Sequence, residues 1–528
     1  MICARRRMPP TSDNLYQRFA TLIDDVARPF IRLPDGSGYS YGQMQQRSAQ
    51  LANALLDLDV QPGDRVVVQV DKSAAAIFLY LACLRAGAVY VPLNTAYTLA
   101  ELEYFIFDAQ PRVLVCTPAR LAALLPLAQR LGVQQVVTLA ASGRSSLAER
   151  AEAQATDSFD VARASDDAAA ILYTSGTTGR SKGAVLTHGN LASNAFALRT
   201  FWRYTPHDVL LHALPIFHIH GLFVAINVTL AAGAALLLLP GFDPESILAQ
   251  LPFATVMMGV PTYYLRLLAD ARLDAGHTAH MRLFISGSAP LLIDTHHAWR
   301  ERTGHAILER YGMTETGINT SNPCEGERRP GTVGVPLPGI TVRVVDADSG
   351  AALPSGQLGM IEVAGPNVFA GYWRMPDKTR AEFRADGFFV TGDVGRFDAH
   401  GYLQIVGRGK DLIISGGFNV YPREVEGEID ALPGVLESAV VGLPHADFGE
   451  GVTALVVRRE AAAVDVPGPL LDEAGVLARL KERLAGYKCP KRVLFLSELP
   501  RNTMGKVQKN MLRDTYRDLY APGRGEQP

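Results

Sequence analysis

The chain has 528 residues, 48% of them hydrophobic and 20% charged, which is the composition of an ordinary globular protein. That length exceeds what a single core usually serves, so two or more domains are expected. Its 51 basic and 53 acidic side chains nearly cancel, which argues against nucleic acid or an acidic membrane surface as the main partner.

The start, MICARRRMPP, is basic but has no apolar run behind it, which argues against a secretory signal. For residues 1–7 a short leader, or an upstream start with Met8 as the true first residue, stays open. Short apolar strands then alternate with helical patterns. DRVVVQV (64–70) reads as a strand, AAAIFLYLACLRAG (74–87) as a helix with glycine past its end, and VYVPLN (89–94) as the next strand. The rhythm returns at 112–116, 135–139, 169–174 and 255–259. Strands separated by helices predict parallel sheets covered on both faces. The uncharged stretch 221–241 is long enough to span a bilayer, but Asn227, Thr229 and Gly233 interrupt it. A buried helix followed by a strand is the better reading, with no stable membrane insertion.

From about residue 330 the strands close up, with glycine turns between them: 341–346, 359–365, 387–393 and 401–408. This predicts a small antiparallel barrel or sheet. After Arg408 a new α+β unit begins and runs to a C-terminal helix near 508–518. The expected fold class is therefore α/β. A large N-terminal domain of parallel α/β sheets plus a small β-barrel spans 1–409, and a smaller α+β C-terminal domain spans 410–528. Cys3, Cys83, Cys116, Cys324 and Cys489 lie far apart, with neither zinc nor CxxC spacing, which fits a reducing cytoplasm.

The strongest local signal is Thr174-Ser175-Gly176-Thr177-Thr178-Gly179-Arg180-Ser181-Lys182-Gly183, entered from an apolar strand. Glycines let the backbone turn its N–H groups toward an anion, hydroxyls add donors, and Lys182 adds a point charge. That chemistry suits a polyphosphate. The lysine precedes its glycine, so the run is not a Walker loop. Gly179-Arg180-Ser181-Lys182-Gly183 spells a nucleophile elbow, but the strand ends too early to launch that serine.

This loop resembles the phosphate-binding signature of the adenylate-forming superfamily, which includes acyl-CoA synthetases, firefly luciferase and nonribosomal adenylation domains. ALPIFH (213–218), ISGSAPL (285–291), ERYGMTET (309–316), TGD (391–393), GRGKDLIISGGFNVYPREVE (407–426) and PRNTMGKVQKN (500–510) follow in the family's order. NTAYTLAELEYFI (94–106), HALPIFHIHGLF (212–223) and the closing PRNTMGKVQKN are most similar to the malonyl-CoA synthetases within it.

The resemblance implies ATP and coenzyme A as co-substrates, Mg2+ as cofactor, and a small dicarboxylate as acyl donor: malonate, and methylmalonate in many relatives. A short- or medium-chain monocarboxylate is the alternative. No carrier-protein domain is evident in the chain. Lys506 matches the lysine that stabilises the adenylation transition state, and Glu315 the magnesium ligand. Thr314 matches a phosphate contact, and His218 a position between acyl group and nucleotide. Thr174, Ser175, Gly176, Thr177, Thr178, Gly179 and Lys182 match the phosphate loop. Glu309, Arg310 and Tyr311, with Gly312 and Met313, match the adenine side. Asp393 and Arg408 match the ribose contacts. Lys410 matches the hinge on which the mobile C-terminal domain turns, and Gly416 and Gly417 the approach to the pantetheine tunnel.

A second carboxylate in the acyl pocket needs a facing cation, because an unpaired buried charge is costly. Arg266 and Arg282 are the candidates. Arg266, one helical turn past Thr262, is favoured, with the Ser288 hydroxyl as a second donor. Arg282 is expected to be structural. The pair His218 and His220 does not suggest zinc, since side chains two apart diverge on a strand.

Overall fold

The computed structural model describes residues 12–158, 160–174, 181–415, 418–459, 471–484, 486–503 and 505–521. Two large sheets form its N-terminal part. In the seven-stranded sheet, Gln135–Thr138, Val113–Cys116, Arg65–Gln69, Val89–Pro92 and Ala168–Thr174 run parallel in that spatial order. In the nine-stranded sheet, Ala235–Leu238, Val209–His212, Val256–Gly259, Leu283–Ser286 and Leu308–Met313 do the same. Their residues are almost wholly buried, as strands covered on both faces must be. The helix Ala74–Ala86 separates two of the strands and ends at Gly87 with φ +70°, a left-handed cap that glycine adopts without strain.

The sheets are not purely parallel, and this corrects the sequence expectation. Ala168–Thr174 turns back antiparallel into Lys182–Thr187, which in turn pairs with Gly371–Tyr372. Leu308–Met313 likewise turns back into Gly317–Ser321. Thr314 and Glu315 form the turn of the second hairpin.

The predicted barrel is also corrected. Thr341–Val345, Gly359–Ala364, Phe389–Phe397 and Leu403–Arg408 form a four-stranded antiparallel sheet. Among the described residues no pairing joins its first and last strands. Four short strands do not supply the circumference that closure needs. The sheet instead buries one face, including Ile361, Val363, Phe389 and Leu403, in the main core.

The stretch 221–241 is a buried π-helical turn, His220–Ile226, then the helix Asn227–Ala232 and the strand Ala235–Leu238. Asn227 Oδ1 accepts there from the Tyr80 hydroxyl at 3.0 Å, while its Nδ2 has no partner among the described residues. Among the described residues, no helix is long and apolar enough to cross a membrane.

After a tight turn at Gly409–Asp411 the chain enters a separate five-stranded sheet. Its long central hairpin, Val435–His445 with Gly449–Arg458, is flanked by Arg492–Leu496 and the short strands Ile413–Ser415 and Phe418–Val420. Helices Pro422–Asp430 and Glu473–Lys481 pack on it through Val425, Ile429, Val476 and Leu480. The short strand pair was not anticipated from sequence. Arg513, in the helix Lys509–Thr515, binds Asp411 at 2.6 Å and so ties the turn to the end of this unit.

Candidate active site

A cleft of about 1540 Å³ lies where the sheets' loops meet the C-terminal segment. Thr174 and Lys182 enter it from the two strands of the loop hairpin. Gly312, Met313, Thr314 and Glu315 enter from the second hairpin. Arg408 comes from the end of the four-stranded sheet, and Lys506 with Asn502 and Thr503 from the C-terminal unit. His218 and Ser288 line it too. Ser175, Gly176, Thr177, Thr178 and Gly179 lie outside the described residues, as do Gly416, Gly417 and residues 1–7. Lys410 lies in the Gly409–Asp411 turn.

The strand pairing explains one cluster. Asp393 and Arg408 are register partners on adjacent antiparallel strands, so their side chains meet, with Arg408 Nε 3.1 Å from Asp393 Oδ1. The Tyr311 hydroxyl donates to the other oxygen of Asp393 at 2.6 Å. Tyr311 therefore acts on the cleft through Asp393 rather than lining it. Each carboxylate oxygen keeps a second lone pair to accept from a vicinal diol.

Glu315 is buried, and burial pushes its carboxyl above the usual range. Its Oε1 lies 3.0 Å from the Tyr372 hydroxyl. That hydroxyl is also 2.6 Å from Glu382 Oε2, and Glu382 Oε1 is 3.1 Å from Lys182 Nζ. Sequence reasoning missed Tyr372 and Glu382. No group of three or more metal-ligating side chains occurs among the described residues. A single carboxylate still fits a magnesium ion that keeps waters and phosphate oxygens as its other ligands.

Lys506 stands at the mouth of a turn closed by reciprocal bonds: Asn502 N–H to Lys506 O, and Lys506 N–H to Asn502 Oδ1, both at 3.0 Å. Gly505 holds φ +72°, and a β-carbon there would stand 2.9 Å from Thr262 Oγ1. Thr503 Oγ1 lies 3.4 Å from His218 Nε2. Burial pushes the His218 imidazole down to about 4, so it is neutral at physiological pH.

The two arginines weighed for the acyl side take different places. Arg266 is exposed and does not line the cleft. The helix Pro261–Leu268 turns Tyr264 and Leu267 inward, and position 266 falls on the opposite face. Arg282 is structural, as expected: it grips Asp208 through two bonds of 2.6 and 2.7 Å. Glu309, assigned to the adenine side, instead accepts from Leu291 N–H at 3.2 Å and does not line the cleft. Burial raises its carboxyl to about 7.

Arg310 is a buried cation that lines the cleft. It is 4% exposed, and burial pushes its guanidinium down to about 9. Its Nε and Nη2 have no hydrogen-bond partner among the described residues. Gly287 lies directly against the guanidinium, where a β-carbon would stand 2.4 Å from Cζ. Ser288 follows with φ +70°, and its Oγ lies 3.2 Å from His220 Nδ1. His218 and His220 thus have separate partners, and His220 opens a π-helical turn rather than lying on a strand. Arg310, Gly287, Ser288 and His220 form one corner of the cleft. A signal for this was present: a charged residue inside an otherwise buried central strand is rare without a partner.

A model of the AMP-binding enzyme family matches residues 20–373, and one of the AMP-binding enzyme C-terminal domain matches residues 424–506. A feruloyl-CoA synthase from Amycolatopsis sp is 37% identical, over 91% of this chain and 94% of its own. A malonate–CoA ligase from Arabidopsis thaliana is 34% identical, over 95% of this chain and 89% of its own. The crystal structure of ATP-bound MatB from Rhodopseudomonas palustris is 57% identical, with TM-score 0.93, and covers 97% of this chain and 100% of that one. With matches over both units and a shared fold along nearly the whole length, the chain belongs to the AMP-binding enzyme family.

Proposed function

We propose that this chain joins malonate to coenzyme A at the expense of ATP, through malonyl-adenylate. The observation that carries the substrate is the buried Arg310. A guanidinium held away from water with two nitrogens unanswered among the described residues calls for an anion from outside the chain. In the same cleft, Lys506, Glu315 and Arg408, with Asp393 buried behind Arg408, belong to the nucleotide. A substrate with a carboxylate at each end of one methylene satisfies both. One end seats on Arg310 with the Ser288 hydroxyl beside it, and the other turns toward the α-phosphate. The malonate–CoA ligase from Arabidopsis thaliana, similar along nearly its whole length, supports this choice.

In the first step a carboxylate oxygen attacks the α-phosphorus and pyrophosphate leaves. Two anions must approach, so positive charge aimed at the transition state is the main requirement. Lys506 supplies it from the C-terminal unit. Glu315 would hold a magnesium ion, which supplies charge neutralisation on the polyphosphate, and Thr314 donates to phosphate. Thr174, Lys182 and the loop 175–179 bind the β- and γ-phosphates, while Asp393 and Arg408 hold the ribose. His218, neutral, fills the space between acyl group and nucleotide without adding charge.

In the second step the coenzyme A thiol attacks the acyl carbonyl and AMP leaves. Its phosphate is already stabilised, so little further acid catalysis is needed. The unit from residue 410 onward turns about Lys410, withdraws Lys506 and brings Gly416 and Gly417 to the thiol's path. Purified enzyme with ATP, coenzyme A and malonate, acetate, octanoate or ferulate in parallel tests the reading through AMP release. Malonate is expected to be the best of the four; malonate as the poorest would overturn it.

A further inference from the structure

Lys182 and Glu382 are brought together across 200 residues. The Lys182 side chain is only 9% exposed, its ammonium is 3.1 Å from Glu382 Oε1, and it also lies 4.7 Å from the centre of the Tyr372 ring. An ammonium has three hydrogens, and the carboxylate occupies one of them. Glu382 is itself fixed from three directions. Its other oxygen is 2.6 Å from the Tyr372 hydroxyl, Lys378 approaches Oε1 at 2.8 Å, and its backbone carbonyl accepts from Val390 N–H at 2.8 Å. A lysine has four rotatable bonds, so an unanchored ammonium would sweep much of the cleft. Here it is held against one wall with donors left over.

We propose that Glu382 is a positioning residue for the nucleotide. It anchors Lys182 so that the remaining ammonium hydrogens meet the polyphosphate, and the Tyr372 hydroxyl holds the Glu382 carboxylate in place for that. Glu382 and Lys182 both line the cleft, so the pair stands where the phosphates would lie rather than behind the wall. This rests on the nucleotide reading of the cleft, and it adds a residue that none of the sequence motifs contains.

Equilibrium binding of a nonhydrolysable ATP analogue with magnesium, measured by calorimetry, tests it. Glu382→Gln is close to isosteric and is expected to weaken the analogue about tenfold, the size of a lost charge-assisted hydrogen bond. The KM for malonate should stay within about twofold, since Arg310 is untouched. Glu382→Asp should recover part of the loss. Placed on a Lys182→Gln background, Glu382→Gln should add nothing, because the residue through which it acts is gone. Unchanged or tighter binding in the single variant would overturn the proposal, as would additive losses in the double variant or an equal rise in both KM values. Failure of the wild-type enzyme to bind the analogue would instead overturn the nucleotide reading itself.

Discussion

Gly287 and Arg310 are in direct contact: a β-carbon at residue 287 would stand 2.4 Å from Arg310 Cζ and 2.5 Å from Nη1. The pair therefore fixes the plane of the guanidinium. Gly287→Ala must push it aside, and a displacement near 1 Å can cost about a hundredfold in rate. We expect kcat/KM for malonate to fall by about that factor while binding of the ATP analogue is retained. Equal loss of both would show that the substitution had disturbed the whole cleft.

Gly505 and Lys506 give a prediction about the two half-reactions. Lys506→Ala should abolish most malonate-dependent pyrophosphate exchange yet leave thioester formation from synthetic malonyl-adenylate largely intact. Gly505→Ala combines a left-handed φ of +72° with a β-carbon 2.9 Å from Thr262 Oγ1. The conformational strain alone costs about 1–2 kcal/mol, so a roughly tenfold slower adenylation is expected. Thr262→Ala should restore part of it, because the clash is with the hydroxyl. No restoration would mean that the contact with Thr262 does not limit the first step.

The two arginines weighed for the acyl pocket should separate cleanly. Arg266→Ala should leave kcat/KM for malonate unchanged, since the side chain is exposed. Arg282→Ala should lower stability by about 3 kcal/mol, because the Asp208 side chain, 3% exposed, loses its bidentate partner. Denaturant melts and steady-state kinetics on both variants check this. A malonate-specific defect in Arg266→Ala would return that residue to the pocket.

Asp430 predicts a pH dependence in the C-terminal unit. Burial raises its carboxyl from 3.8 to about 7, and Ser438 Oγ donates to it at 2.7 Å. The folded state therefore binds a proton that the unfolded state has lost. Between pH 4 and 7 stability falls as pH rises, and the full penalty stands above 7. Asp430→Asn keeps the acceptor and removes the charge. It should stabilise the protein by about 1–2 kcal/mol at pH 8 and have little effect near pH 4. Urea melts at both values decide it; a constant difference would contradict the cause.

Much of the fold was legible because local signals agreed. The apolar runs at 64–70 and 89–94 and the cap at Gly87 needed no partner to be read. The strand Lys182–Thr187 was hidden because it opens on a lysine inside a loop-like composition, and its pairing with Ala168–Thr174 is tertiary. Barrel closure was misread because strand spacing reports turns, not whether first and last strands meet. At the site, the ordered motifs pointed to Glu315, Asp393 and Lys506, and Glu315 and Lys506 line one cleft. The place of Arg310 in ERYGMTET suggested the nucleotide side; its burial against Gly287 beside Ser288 supports the acyl reading proposed above. Arg266 is exposed on the helix face away from Tyr264 and Leu267, which its one-turn spacing from Thr262 did not reveal. Glu382 carried no signal at all, since its meaning lies in a partner 200 residues away.

The central claim is that Arg310 makes this a dicarboxylate enzyme, and one comparison tests it most directly. The kcat/KM for malonate and for acetate is measured in the wild-type enzyme and in Arg310→Met. Malonate should fall by at least about a hundredfold, the cost of breaking a buried ion pair, while acetate holds or improves. An equal fall for both acids would contradict the assignment and leave Arg310 a structural residue.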